Sequence, residues 1–271
     1  MKKTTKLLAL CIAAVLLFAA CGGGSGSADG FTGTYTLNGS TSVERVISAL
    51  IEAFEEEHTG LSLSFNPTGS GAGITSAQEG TADIGLSSRP LRETETGVDY
   101  TVFAIDGLAV IVHPDNPVTD LSIEQINGIY TGEITNWSEV GGEDAPIAVL
   151  GREAGSGSRG AFDDIIGLDD PQHDQELTSG GAIITAVATN PFAIGYSSLS
   201  AVNDTVSILA VNGVMITDET LADMTYPVAR PFLMMTQEGA DIPEAIAAFM
   251  VFIQSAEATQ IIANAGVLQV R

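Results

Sequence analysis

Lysine is almost missing from this chain of 271 residues: Lys2, Lys3 and Lys6 are the only three. Without a lysine further on, none of the glycine-rich loops can be a nucleotide P-loop, because G-x-x-x-x-G-K-[ST] needs that side chain. Cysteine is as scarce, with Cys11 and Cys21 alone, so a disulfide framework is excluded. The three histidines, His58, His113 and His173, stand in no metal-ligand spacing, and no metal or cofactor is expected. No G-x-S-x-G nucleophile elbow occurs, and the acidic pairs Asp163–Asp164 and Asp169–Asp170 read as solvated faces or caps. Together these absences argue against an enzyme.

Long apolar runs are limited to the start. "MKKTTK" followed by "LLALCIAAVLLF" has the basic and apolar regions of a signal peptide, too short for a confident membrane span. It ends in "FAAC", which resembles the lipobox of bacterial lipoproteins, with Phe18 where leucine is usual. Residues 1–20 are then a signal segment, Cys21 is the lipidated N-terminus, and residues 21–30 ("CGGGSGSADG") are a flexible tether. The expected location is extracytoplasmic, at the cell membrane. Loss of the leader leaves seven arginines as the basic residues against 34 acids, a net charge of −27. Such a balance excludes nucleic acid and anionic lipid surfaces as partners.

What remains is a series of strand–loop–helix units. "GTYTLNG" alternates as a strand, and Val43, Val46, Ile47, Leu50, Ile51 and Phe54 then share one helical face. Thr41 and Glu44 have capping-box spacing at the start of that helix. "LSLSFNP", "ADIGLSS", "IAVLGRE", "FAIGYSS" and "YPVARPFLMM" read as strands, and "IPEAIAAFMVFIQSAEATQIIANAG" as a closing helix. The order implies an α/β fold with largely parallel sheets covered on both faces, in which ligands sit at the carboxyl ends of strands.

Three loops at such ends join glycine to hydroxyl residues at a predicted helix start: "GSTS" at 39–42, "TGSG" at 68–71 and "GSGS" at 155–158. The first turn of a helix has N–H groups without internal acceptors and a partial positive charge. Glycine admits close approach, and hydroxyls add short donors. Arg152, just before the third loop, adds a planar fork suited to a tetrahedral oxyanion. Each loop alone is equally a helix cap or a turn. The four features together indicate a cradle for an oxyanion inside an acidic protein.

In order and spacing, "GSTSV", "GSGAGI", "GTADIGLSSRPL", "LSIEQINGIYTGEITNWSEVGG", "GREAGSGSRGAFD", "AIGYSSL" and "YPVARPF" resemble the phosphate-binding lipoproteins that deliver phosphate to bacterial ABC importers. The resemblance implies a two-lobed periplasmic-binding-protein fold of type II, each lobe a mostly parallel sheet flanked by helices, joined by two crossings. Its expected divisions are residues 31–112 and 222–271 for lobe I and 113–221 for lobe II. It also implies inorganic phosphate as ligand, ABC permease subunits as partners and a monomeric state. By motif position the ligand residues are Thr41, Ser42, Ser70 and Ser88 from one lobe, and Arg152, Ser156, Gly157 and Ser158 from the other. Asp106–Gly107 and "YPVARPF" look like the crossings. Ser88 stands where the family usually has an aspartate. Arg89 beside it adds positive charge, and Asp83 and Asp163 are the nearby acids to replace that carboxylate. Other readings are a binding protein for sulfate, molybdate or tungstate, a phosphate sensor or surface protein without transport, and a secreted phosphatase.

Overall fold

The computed structural model describes residues 30–270; the leader, Cys21, the tether up to residue 29 and Arg271 lie outside the described residues. From the amino end the elements are β1 (Thr32–Gly39), α1 (Glu44–Glu57), β2 (Gly60–Pro67), α2 (Ser70–Glu79), β3 (Ile84–Ser87) and the long β4 (Val98–Val112). A second series follows: β5 (Asp120–Leu121), α3 (Ile123–Tyr130), β6 (Ala148–Arg152), α4 (Gly157–Ile166), β7 (Gln175–Leu177), α5 (Gly180–Thr189), β8 (Ala193–Ser198), β9 (Ser207–Ile208) and β10 (Ala210–Val211). The chain closes with α6 (Asp218–Ala222), β11 (Ala229–Gln237), α7 (Glu244–Ile253), α8 (Ala258–Asn264) and β12 (Leu268–Gln269).

The strands join in the order β2-β1-β3-β11-β4-β8-β6-β7, a path that runs through both lobes. Its wings are parallel: β1 lies between β2 and β3, with Leu37 opposite both Phe65 and Ile84, and β6 lies between β7 and β8. Its centre is antiparallel, because β4 leaves one lobe for the other and β11 returns. Along β4, residues Val98 to Gly107 pair with β11, and Leu108 to Val112 pair with β8. Asp106 and Arg230 are register partners at this changeover.

Both faces of each sheet are covered. The apolar stripe of α1 (Val46, Ile47, Leu50, Ile51, Phe54) packs with Phe249 and Phe252 of α7 on one face of lobe I. Phe54 lies 5.2 and 5.3 Å from those two rings, so truncating it to alanine removes about 3–5 kcal/mol. On the opposite face Ile74 and Ala77 of α2 meet Leu233 and Met235 of β11. In lobe II the pleat of β4 sends Leu108, Val110 and Val112 to the core of α3 and α4, and Ala109 and Ile111 to that of α5. Burial on both sides is why "LAVIV" is apolar without alternation. Trp137 belongs to the same lobe II core and donates its Nε1–H to Phe192 O at 2.9 Å.

Two local expectations change. The first turn before α1 is a short 3-10 stretch, Thr41–Val43, capped by Ser40 and not by Thr41. Ser40 Oγ accepts from Ser42 N at 3.1 Å. The closing helix is divided into α7 and α8, with Ser255 Oγ accepting from Ala258 N in the turn between them. Among the described residues no single helix is long and apolar enough to cross a membrane.

Candidate functional site

The three loop ends of lobe I are tied together by their backbones. Gly39 O accepts from both Thr68 N and Gly69 N at 2.8 Å, and Ser40 N donates to Leu86 O at 3.0 Å. A side chain at Gly39 would collide with the Leu86 carbonyl, so only glycine lets β1 and β3 end this close. Ser70 Oγ accepts from Ser88 N at 3.0 Å, which sets the start of α2 against the end of β3. Ser40, Ser70 and Ser88 are thereby buried side by side, with the Ser40 and Ser88 hydroxyls 2.7 Å apart.

Lobe II supplies the facing wall through the first turn of α4. Ser156 caps it, its Oγ accepting from Arg159 N, so the N–H groups of Gly157 and Ser158 lack acceptors within the helix. Any side chain at Gly157 would strike the hydroxyls of Ser70 and Ser88. Ser158 Oγ lies 2.8 Å from Ser42 Oγ, and Gly71 N donates to Gly155 O at 3.2 Å. The lobes therefore meet through Ser42, Ser70, Ser88, Gly157 and Ser158, all from the set expected at this place.

Arg152 borders the same space with its donors engaged. Its Nη2 donates to Thr41 Oγ1 at 3.2 Å, Glu153 Oε1 at 3.0 Å and Thr178 O at 3.1 Å, and its Nε reaches Glu153 Oε2 and Leu177 O. Thr41 is thus joined to the site through Arg152. Ser156 serves as the cap of α4.

Three further residues enter. Arg230 of β11 donates through Nη1 to Ser158 Oγ at 2.8 Å, to Ser88 Oγ at 3.2 Å and to Ser88 O at 3.3 Å. Its Nε and Nη2 both hold Asp106 Oδ2, at 3.0 and 2.8 Å, and neither side chain of the pair is exposed. Asp106 Oδ1 accepts from Ser198 Oγ at 2.8 Å. Burial pushes the Asp106 carboxyl up and the Arg230 guanidinium down, each opposed by the charge of the other. Ser40, Asp106 and Arg230 were not among the expected ligand residues. The signal was a lone charge in each of two apolar strands, "FAIDGLAVIV" and "YPVARPFLMM", since buried charges occur in pairs.

Neither acid proposed to replace the missing aspartate faces this space. Asp83 accepts from Thr36 N at 2.7 Å on β1, and Asp163 lies 3.6 Å from Arg159 on α4. Nor does Arg89 add an unmatched charge: it makes a double hydrogen bond to Glu95, holding that carboxyl below the usual range. Among the described residues no group of histidine, cysteine or acid side chains is arranged to hold a metal ion.

The arrangement is a close-packed cluster of hydroxyls, helix-start N–H groups and two guanidiniums, built from both lobes. Known proteins are similar to the chain as a whole. The PBP superfamily domain matches residues 25–257. The Bacillus subtilis phosphate-binding protein PstS is 32% identical over 84% of this chain and 82% of its own. A Clostridium perfringens substrate-binding protein with bound phosphate superposes with a TM-score of 0.84 at 42% identity, over 88% of this chain and all of that one (100%). An ABC-type phosphate transport receptor from Vibrio cholerae follows at 0.75 and 36%, over 86% of this chain and 99% of its own. On these grounds the chain belongs to the PBP superfamily, within the family of the PstS phosphate-binding proteins.

Proposed function

We propose that this protein captures inorganic phosphate between its lobes and delivers it to an ABC permease, without catalysing a reaction. The observation that carries this reading is the convergence of Ser42, Ser70, Ser88 and Ser158 with the first turns of α2 and α4 in one buried space. A tetrahedral oxyanion needs many short donors from all sides, and dipoles fixed in a dry site stabilise its charge without reorganising. The named relatives, one of them with bound phosphate, point to the same anion. In our reading Thr41, Ser42, Ser70, Ser88, Gly157, Ser158 and the Arg152 fork contact phosphate, Ser156 presents the α4 turn, and Arg230 orients Ser88 and Ser158.

Strand pairing favours crossings between Gly107 and Leu108 and between Val228 and Ala229, with lobe II running from 108 to 228. This widens lobe II at both ends relative to the 113–221 expected from sequence. The lipobox-like "FAAC" supports an extracytoplasmic protein tethered to the membrane through Cys21. Mass determination of the N-terminal peptide tests that anchor, and an unmodified Cys21 would remove it.

Calorimetric titration of the phosphate-stripped protein tests the ligand. We expect one tight phosphate equivalent that sulfate does not match. Equal or tighter sulfate binding would keep the cradle and replace the anion; binding of neither would reduce the loops to helix caps.

A further inference from the structure

Thr41 and Ser42 also line an open cleft of about 600 Å³ between the lobes, which none of Ser70, Ser88, Gly157 and Ser158 lines. One wall is the start of α1, with Arg45; the other is the first turn of α5 and the end of β8, with Ser197. Three features there are left over by the function already described.

The first is the α5 terminus. Ser179 caps it, its Oγ accepting from Ala182 N at 3.1 Å, so Gly180 and Gly181 keep N–H groups that no helical carbonyl can take. The second is Ser197, only 1% exposed, whose hydroxyl has no hydrogen-bond partner. It lies against that same turn: a Cβ at Gly180 would sit 2.6 Å from Ser197 Oγ. A buried hydroxyl is normally satisfied, so one without a partner beside free N–H groups marks a place built for an acceptor. The third is Arg45. Among the described residues Arg89, Arg152, Arg159 and Arg230 each have a carboxylate within 4 Å, whereas Arg45, like Arg92, has none, and Arg45 spends one donor on Ser200 O at 2.7 Å. An arginine presents five donors, so most of this fork is uncommitted. Glu44 is the one nearby carboxylate in the lining besides these donors, and it is exposed to solvent.

We propose that this cleft is a second anion subsite, taking a phosphate or carboxylate group through the α5 first turn, Ser197 Oγ and Arg45. The group comes either from a second free phosphate ion or from the acidic arm of one compound whose phosphoryl group occupies the cradle. The second of these rests on the cradle reading; the first does not.

The test is calorimetry of the stripped protein with inorganic phosphate and with phosphonoacetate, in the wild type and in Arg45→Gln and Ser197→Ala. A free second ion gives a weaker second phosphate equivalent, lowered about ten-fold in affinity by each substitution while the tight equivalent is unchanged. A spanning ligand gives one equivalent of each compound, with phosphonoacetate binding more tightly than phosphate and losing that advantage in both variants. Either result supports the subsite. A single phosphate equivalent, with no advantage for phosphonoacetate, overturns it; so does a second equivalent or an advantage that ignores both substitutions. Thermal unfolding separates a structural role: a hydroxyl that is only a packing defect makes Ser197→Ala more stable and leaves every titration unchanged, which also overturns the proposal. Failure of the cradle reading would appear separately, as absence of the tight equivalent in the wild type.

Discussion

Arg152 and Arg230 are equally hidden, 1% and 2% exposed, yet the regions around them differ. Arg152 ends β6 and leans on Glu153, whose side chain is 31% exposed, and on the carbonyls of Leu177 and Thr178. Arg230 lies within β11 and holds Asp106, which is not exposed at all. A rim carboxylate can be hydrated when an anion displaces it, at little cost. A carboxylate sealed in the sheet has no such recourse, and separating it from its partner leaves a bare buried charge. Under the proposed function, this difference would give Arg152 to exchange and Arg230 to architecture.

Breaking the sealed pair should have the largest effect. Arg230→Met leaves Asp106 alone and is expected to cost about 3–5 kcal/mol in chemical denaturation, with phosphate binding lost as Ser88 and Ser158 lose their donor. The double variant Arg230→Met, Asp106→Leu should recover much of the stability and none of the binding; recovery of both would deny the pair a part in the site. Next in size, Arg152→Ala should weaken phosphate binding by about a hundred-fold, the scale of a lost charged hydrogen-bond pair, while stability falls by only about 1–2 kcal/mol. An unchanged titration would remove Arg152 from the ligand set. Smaller again, Glu153→Gln should tighten binding by about two- to five-fold, because it frees the Arg152 fork from a partly exposed competitor. Weaker binding in that variant would mean that Glu153 orients the fork instead.

A last effect, read in stability and not in binding, concerns a third pair, intermediate in exposure. Burial lifts the Asp163 carboxyl to about 6 despite Arg159 nearby, against about 4 in the unfolded chain. The folded state therefore holds the proton more tightly. This contribution to stability is full below about pH 4 and is lost as pH rises through about 6. Melting curves across that range should show the decline in the wild type and a flatter profile in Asp163→Asn.

Much of the fold was legible in the sequence because its signals are local. The stripe from Val46 to Phe54 specifies α1, and the alternation of "GTYTLNG" specifies β1, without reference to anything distant. The serine loops were legible for the same reason. The Asp106–Arg230 pair was not, since its members are 124 positions apart and meet only because β4 and β11 run antiparallel in one register. The division of the closing helix was missed although Gln254, Ser255 and Glu257 interrupt the apolar run there, because each of these residues is also tolerated within a helix. The turning aside of Arg152 depends on Leu177 and Thr178, carbonyls that no side-chain pattern announces.

The two crossing strands give the Asp106–Arg230 pair a mechanical position. In a rotation, displacement grows with distance from the axis, and the strands that pass between two bodies lie nearest to it. A swing of one lobe about β4 and β11 would part Ser42 from Ser158, while Asp106 and Arg230, adjacent in register on the crossing strands, would keep their pairing. The strongest charges in the interior thus stand where motion is least. Under the proposed function, the lobes could part for phosphate without separating this pair.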